Sequence, residues 1–140
     1  MTEPKKPTIL LVEDSEDDAF FFKRALEKSG VTCALEHVTD GAQAVEFLQA
    51  ASSNGLDFPQ TMFLDLKMPV LNGFEVLEWM QTQSFSSPLQ VIVLSGSEHQ
   101  DDKARAARLG ATEYIVKPVR VNDLHRYLQD LCPPPIGAQA

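Results

Sequence analysis

Met62-Phe63-Leu64-Asp65-Leu66-Lys67-Met68-Pro69, with Asn72-Gly73 just beyond, is the stretch on which the reading of this chain turns. A short apolar run ends on a carboxylate, and a Pro/Gly-bounded loop follows at once. That is a buried strand and its exit turn. An Asp placed there is aimed out of the sheet edge rather than into the core. Three other strand-like runs end in the same way. Ile9-Leu10-Leu11-Val12 leads into Glu13-Asp14, Val91-Ile92-Val93-Leu94 into Ser95, and Tyr114-Ile115-Val116 into Lys117. Four strand ends converging on one carboxylate make a site.

Between these runs lie longer amphipathic segments. Residues 16–29 read as a helix whose apolar stripe is Phe21, Phe22, Ala25 and Leu26, stopped at Ser29-Gly30. Residues 33–38 read as a strand interrupted by Glu36 and His37. A helix is expected from Gly41 to Ala51, with Ala44, Val45 and Leu48 on one side, and residues 52–59 read as a loop. Further helices are expected over 73–82 (Val76, Leu77 and Met80 inward), 100–109 (stopped by Gly110) and 121–131 (Leu124, Leu128 and Leu131 inward). Strands are expected over 90–94 and 111–116. Cys132-Pro133-Pro134-Pro135 cannot continue a helix. Strands alternating with helices give an α/β fold with a parallel sheet covered on both faces. Right-handed crossovers favour the flavodoxin-like doubly wound order 2-1-3-4-5 for five strands flanked by five helices. That order sets strands one and three side by side and brings Glu13, Asp14 and Asp65 together.

Bulk properties narrow the function. The chain has 140 residues, the size of one domain, and a net charge of −8. This balance argues against nucleic-acid or membrane-surface binding. No apolar stretch approaches a membrane span, and the first residues carry no apolar signal region. Cys33 and Cys132 lack metal-type spacing, so a cytoplasmic protein with reduced thiols is expected.

The site has a chemistry of its own. Carboxylates as close as Glu13, Asp14 and Asp65 raise one another's pKa and make sense once a cation joins them. The donors are oxygens, with the Lys67 backbone carbonyl as a further candidate, and a hard cation such as Mg²⁺ suits that set. A hydroxyl (Ser95) and an ammonium (Lys117) facing a metal-bound carboxylate are partners for phosphoryl oxygens. Asp65 is then the nucleophile and an acyl phosphate the product.

The set Val12-Glu13-Asp14, Asp65-Leu66-Lys67-Met68-Pro69 with Gly73, Ser95-Gly96, and Tyr114-Ile115-Val116-Lys117-Pro118 resembles the receiver domain of two-component response regulators, the CheY-like fold. Each motif alone is weak, and their order, each at a strand end, is what carries the resemblance. It covers residues 8–131, with 1–7 and 132–140 as flexible termini, and is similar to the stand-alone, phytochrome-associated type. The resemblance implies that Asp65 accepts a phosphoryl group from a histidine kinase or a histidine phosphotransfer protein. It implies Mg²⁺ on Asp14, Asp65 and the Lys67 carbonyl, with Glu13 acting mostly through water. Lys117, Ser95 and Gly96 would contact the phosphoryl group, Ser95 and Tyr114 would form the switch, and the bond before Pro118 would be cis. Glu13 stands where many receivers have Asp. Lys67 and Ser97 occupy the two positions that tune dephosphorylation. Lys67 is able either to shield the site or to contact the phosphate, so phosphoryl lifetime stays open.

Plainer readings apply elsewhere. Glu16 and Asp17 read as acids favouring a helix N-terminus. His37, His99 and His125 read as scattered, solvent-facing residues, and Cys33 as a small buried one. Phe20 lies off the first helix's stripe and is either a chance exposed aromatic or a kinase contact. The fourth helix, fifth strand and fifth helix form the expected output face. There Asp101 and Asp102 with Arg105 and Arg108 would pair across a two-fold axis in a homodimer, or simply be solvated. A downstream protein partner is implied but not identified. The rival functions are a haloacid dehalogenase-like phosphohydrolase, a non-phosphorylated receiver-like adaptor and a flavin-binding protein. The first wants an acid two residues after the nucleophile, where this chain has Lys67.

Overall fold

The computed structural model describes residues 7–54, 58–85 and 88–129. Five strands alternate with five helices: β1 (Thr8–Val12), α1 (Glu16–Ser29), β2 (Ala34–Val38), α2 (Gly41–Asn54), β3 (Thr61–Asp65), α3 (Gly73–Gln81), β4 (Gln90–Ser95), α4 (Gln100–Arg108), β5 (Glu113–Val116) and α5 (Val121–Leu128). The strands are parallel and the order is β2-β1-β3-β4-β5, as expected.

Alternation along each strand divides the core in two. Ile9, Leu11, Phe63, Ile92 and Leu94 face α1 and α5, where Phe22, Leu26, Leu124 and Leu128 cover them. Leu10, Val12, Met62, Leu64, Val91 and Val93 face the other way, onto Leu48, Val76, Leu77 and Ala106 of α2, α3 and α4. Both faces of β1, β3 and β4 are therefore apolar, which is why these strands read as unbroken apolar runs. β2 lies at an edge and keeps Ala34 and Glu36 exposed, hence its mixed sequence.

The helices differ from the sequence reading in detail. The buried stripe of α1 is Ala19, Phe22, Ala25 and Leu26, whereas Phe21 is 57% exposed. At about 100° per residue, Phe21 falls roughly 100° from the centre of the stripe that Ala19, Phe22, Ala25 and Leu26 define. α2 runs through Ser52 and Ser53 to Asn54, beyond the expected end at Ala51. Serine costs a helix little, and no Pro or Gly intervenes before Gly55. β5 begins at Glu113 because the N–H of Ala111 still bonds the Ala106 carbonyl at the end of α4. Val45 and Met80 are half-buried, as is Cys33. His37 is also half-buried rather than solvent-facing, with Nε2 2.9 Å from the Glu13 carbonyl oxygen. The expected inward Leu131, Cys132 and the termini at 1–6 and 132–140 lie outside the described residues.

Candidate phosphoryl site at the strand ends

Register builds the site. Val12 pairs with Leu64, so the next residues, Glu13 and Asp65, are neighbours across the β1–β3 ladder. Asp65 pairs with Leu94, which puts Ser95 one step further out. Ser95 in turn pairs with Val116, and Lys117 follows. The strand-end residues singled out in the sequence thus meet at one edge of the sheet. The loop after β3 is held there by close packing. The N–H of Gly73 donates to the Leu66 carbonyl at 2.9 Å, and a Cβ on Gly73 would come within 2.5 Å of the Asp65 carbonyl oxygen. The Gly73 of the motif is therefore required by contact. In the same loop Val70 adopts a left-handed φ of 68°, and the Leu71 N–H closes a tight turn onto the Pro69 carbonyl at 2.7 Å. Nothing in the sequence announces a β-branched residue in that conformation, which costs on the order of 1–3 kcal/mol.

One side of the crevice is anionic. Glu13, Asp14 and Asp65 each offer a carboxylate oxygen, and these lie within 4.8 Å of one another. Glu13 and Asp65 are buried and Asp14 is exposed. Burial pushes Asp65 up to about 7, with the Glu13 charge adding to the rise and Lys117 opposing it. Carboxylates crowded this way, two of them out of water, form a set that a cation would complete, and an all-oxygen set suits a hard one. The Lys67 backbone is folded back over the site, its N–H donating to Asp65 Oδ1 at 3.3 Å, and its side chain is exposed.

Among the described residues Lys117 brings a positive charge to these acids. Its Nζ lies 2.7 Å from Glu13 Oε1, 2.8 Å from Asp18 Oδ2 and 3.5 Å from Asp65 Oδ2. Burial works against its charge, but the bonds to Asp18 and Glu13 and the nearby anions outweigh it, and the ammonium is held above its ordinary value. The Lys117–Pro118 bond is cis, as expected. Asp18 was not singled out from the sequence. Its partner is 99 residues away, and an acid in the first turn of a helix carries no mark of that.

The other side of the crevice is built of neutral hydroxyls. Ser95 is buried, and its Oγ accepts the Ser97 N–H at 3.1 Å. Ser97 Oγ donates to Asp102 Oδ2 at 2.7 Å and accepts the His99 N–H at 3.2 Å. Tyr114, half-buried, donates its hydroxyl to the Ser97 carbonyl at 2.9 Å. Ser97 thus joins β4, α4 and β5, a role that the sequence does not disclose. Gly96 is exposed and lines the cleft with Lys67, Ser97 and Lys117; a Cβ there would meet nothing within 4 Å. Asp102 and Arg105 are engaged within the molecule, Arg105 over the Phe74 ring at 4.1 Å, so the expected four-charge set on the output face is reduced.

A five-stranded parallel sheet in this order, with an acidic cluster, a hydroxyl and a lysine at its carboxyl edge, defines the receiver class. The family model for the response regulator receiver domain matches residues 9–129, and the chain belongs to that family. It is 33% identical over 123 residues to the probable methanogenesis regulatory protein FilR2 of Methanothrix harundinacea, covering 88% of this chain and 79% of that protein. Other curated relatives are longer, and the chain spans 46% of one and 34% of another. The bacteriophytochrome response regulator AtBRR superposes with a TM-score of 0.75 at 32% identity, covering 91% of this chain and 94% of that one. The Mn²⁺-bound response regulator Rcp1 does so with a TM-score of 0.69 at 30% identity, covering 91% of each. Membership sets aside the phosphohydrolase and flavin readings. Receiver domains accept phosphoryl groups from histidine kinases, and the chain is a response regulator of two-component signalling. Among the described residues no helix is long and apolar enough to cross a membrane.

Proposed function

We propose that residues 8–131 work as a stand-alone receiver in a phosphorelay, taking a phosphoryl group on Asp65 from a histidine kinase or a histidine phosphotransfer protein. The observation that carries this reading is Asp65 itself, a buried strand-end carboxylate flanked by two further acids and faced by Lys117. In the transfer an Asp65 oxygen bonds to phosphorus as the phosphorus–donor bond breaks, and the donor leaves with the electron pair. Glu13, Asp14, Asp65 and the Lys67 carbonyl would hold Mg²⁺, which supplies positive charge against the phosphoryl oxygens. The Mn²⁺ of Rcp1 supports a divalent cation in this family. Lys117 balances further negative charge, and the Ser95 hydroxyl and Gly96 backbone face the transferred group.

Signalling follows from the hydroxyl side. A phosphoryl oxygen would accept from the Ser95 hydroxyl, whose Oγ now accepts the Ser97 N–H, and Tyr114 is bound to that same Ser97. Drawing Ser95 to the phosphate biases the β4–α4 loop and Tyr114 toward a second arrangement. Lys67 and Ser97 flank the path of attacking water and set how long the phosphoryl group lasts. The α4–β5–α5 face would bind a downstream protein or a second copy of the chain. Phe20 and Phe21, 55% and 57% exposed on α1, offer an apolar contact to the phosphodonor.

Incubation with acetyl phosphate tests the reading. A Mg²⁺-dependent, hydroxylamine-labile label is expected, and removal of the metal with a chelator abolishes it. A protein that binds no Mg²⁺ and takes no label would be the non-phosphorylated adaptor instead.

A further inference from the structure

We propose that Asp18 is a positioning residue for phosphoryl transfer: it holds Lys117 in the resting protein, yields it to the phosphoryl group, and so sets how readily Asp65 is phosphorylated. This rests on the reading of Asp65 as the phosphoacceptor. Among the described residues the clustered carboxylates that could hold a cation are Glu13, Asp14 and Asp65, and Asp18 lies outside that cluster. Its side chain reaches the site through Lys117.

The Lys117 ammonium has three N–H groups and three carboxylates around it. The two short contacts, 2.7 Å and 2.8 Å, go to Glu13 and Asp18, and the long one, 3.5 Å, to Asp65. In the resting protein the ammonium is therefore drawn away from the residue it must serve. A phosphoryl group brings a charge of about −2 to Asp65 and calls the ammonium closer. One short partner must loosen. The Glu13 side chain is 2% exposed and has no water to replace the ammonium, whereas the Asp18 side chain is 41% exposed and can be rehydrated. Asp18 is the partner that yields. Its backbone stays in place, because its N–H donates to the helix-capping Ser15 Oγ at 3.2 Å and the Ser15 N–H donates to Glu13 Oε2 at 3.1 Å.

Labelling by acetyl phosphate at saturating Mg²⁺ tests this. An Asp65 oxygen bonds to phosphorus as the phosphorus–oxygen bond to acetate breaks, and acetate leaves with the electron pair. The rate of labelling is read by intact mass in the wild type, Asp18→Asn and Asp18→Glu. Asp18→Asn keeps the size and loses the charge. It should label about two- to fivefold faster, the range of a half-exposed ion pair. Asp18→Glu restores the charge and should return the rate to near wild type, which a merely structural role for Asp18 does not require. Labelling of Asp18→Asn at or below the wild-type rate overturns the proposal, as does an Asp18→Glu protein as fast as Asp18→Asn. Those failures leave the phosphoacceptor reading standing, whereas a wild type that takes no label at all removes both.

Discussion

The two sides of the crevice are in opposite states. Around β1 and β3 the groups are charged, crowded and short of positive charge: Glu13, Asp14 and Asp65 cluster, Glu13 and Asp65 share Lys117 with Asp18, and Asp65 is pushed up to about 7 mainly by burial. Around β4 and β5 the hydroxyls of Ser95, Ser97 and Tyr114 are neutral and bonded, with Asp102 beside Ser97 and Lys103 over the Tyr114 ring. Ser95 is tied to Ser97, Ser97 to Asp102, and Tyr114 to Ser97. The anionic side calls for a ligand, and the hydroxyl side has no need of one. In the proposed mechanism the phosphoryl group is received on the first side, and the second responds when the Ser95 hydroxyl turns to donate to it.

The contrast is sharpest at Lys117. Lys117→Met keeps the aliphatic stem and strands Glu13 as a buried charge, so the protein should lose about 3 kcal/mol in metal-free denaturant unfolding. A loss no larger than that of a surface substitution would mean that the anionic side is solvated and the division false.

The next effect belongs to Asp65. In the unfolded chain it ionises at the ordinary value of 3.8, whereas burial holds it protonated in the folded protein up to about 7. Between those values the folded state binds more protons. Its contribution to stability is full below the lower value and is lost as pH rises through the upper one. Metal-free wild type should therefore show a melting temperature that falls across this window, and Asp65→Asn should flatten the slope. Added Mg²⁺ should restore stability at neutral pH by binding the folded form. Equal slopes in wild type and Asp65→Asn would break the account of the anionic side.

The smallest effects lie on the hydroxyl side. Ser97→Ala removes the bond to Asp102 and the acceptor for the His99 N–H, and Tyr114→Phe removes one bond to the Ser97 carbonyl. Each should cost about 1 kcal/mol in the resting protein, with Ser97→Ala the larger. Tyr114→Phe should also take label at the wild-type rate. A change in labelling rate would place Tyr114 on the receiving side.

What the sequence disclosed follows the same physics. Strands buried on both faces leave unbroken apolar runs, so the ends of β1, β3 and β4 stand out, and a charge at such an end has few structural reasons to be there. Register then does the rest: with β1 beside β3, Glu13 had to meet Asp65. Contacts made by helix residues were hidden. Asp18 and Asp102 look like ordinary acids of a first helical turn, and only the packing of α1 against α5 and the course of the β4–α4 loop turn them toward Lys117 and Ser97. Phe22, Ala25 and Leu26 were placed correctly, and Phe21 was misplaced because an aromatic next to the stripe looks apolar in sequence although it stands about 100° from the stripe's centre. His37, on the mixed edge strand β2, gave no periodic signal, and its bond to the Glu13 carbonyl arises from the β1–β2 pairing.

The most direct measurement is the position of the label. After reaction with acetyl phosphate and Mg²⁺, the acyl phosphate is trapped by borohydride reduction and the modified peptide sequenced by mass spectrometry. The modification should fall on Asp65, and Asp65→Asn should give none. A label on Asp14, on a histidine, or undiminished in Asp65→Asn would contradict the account.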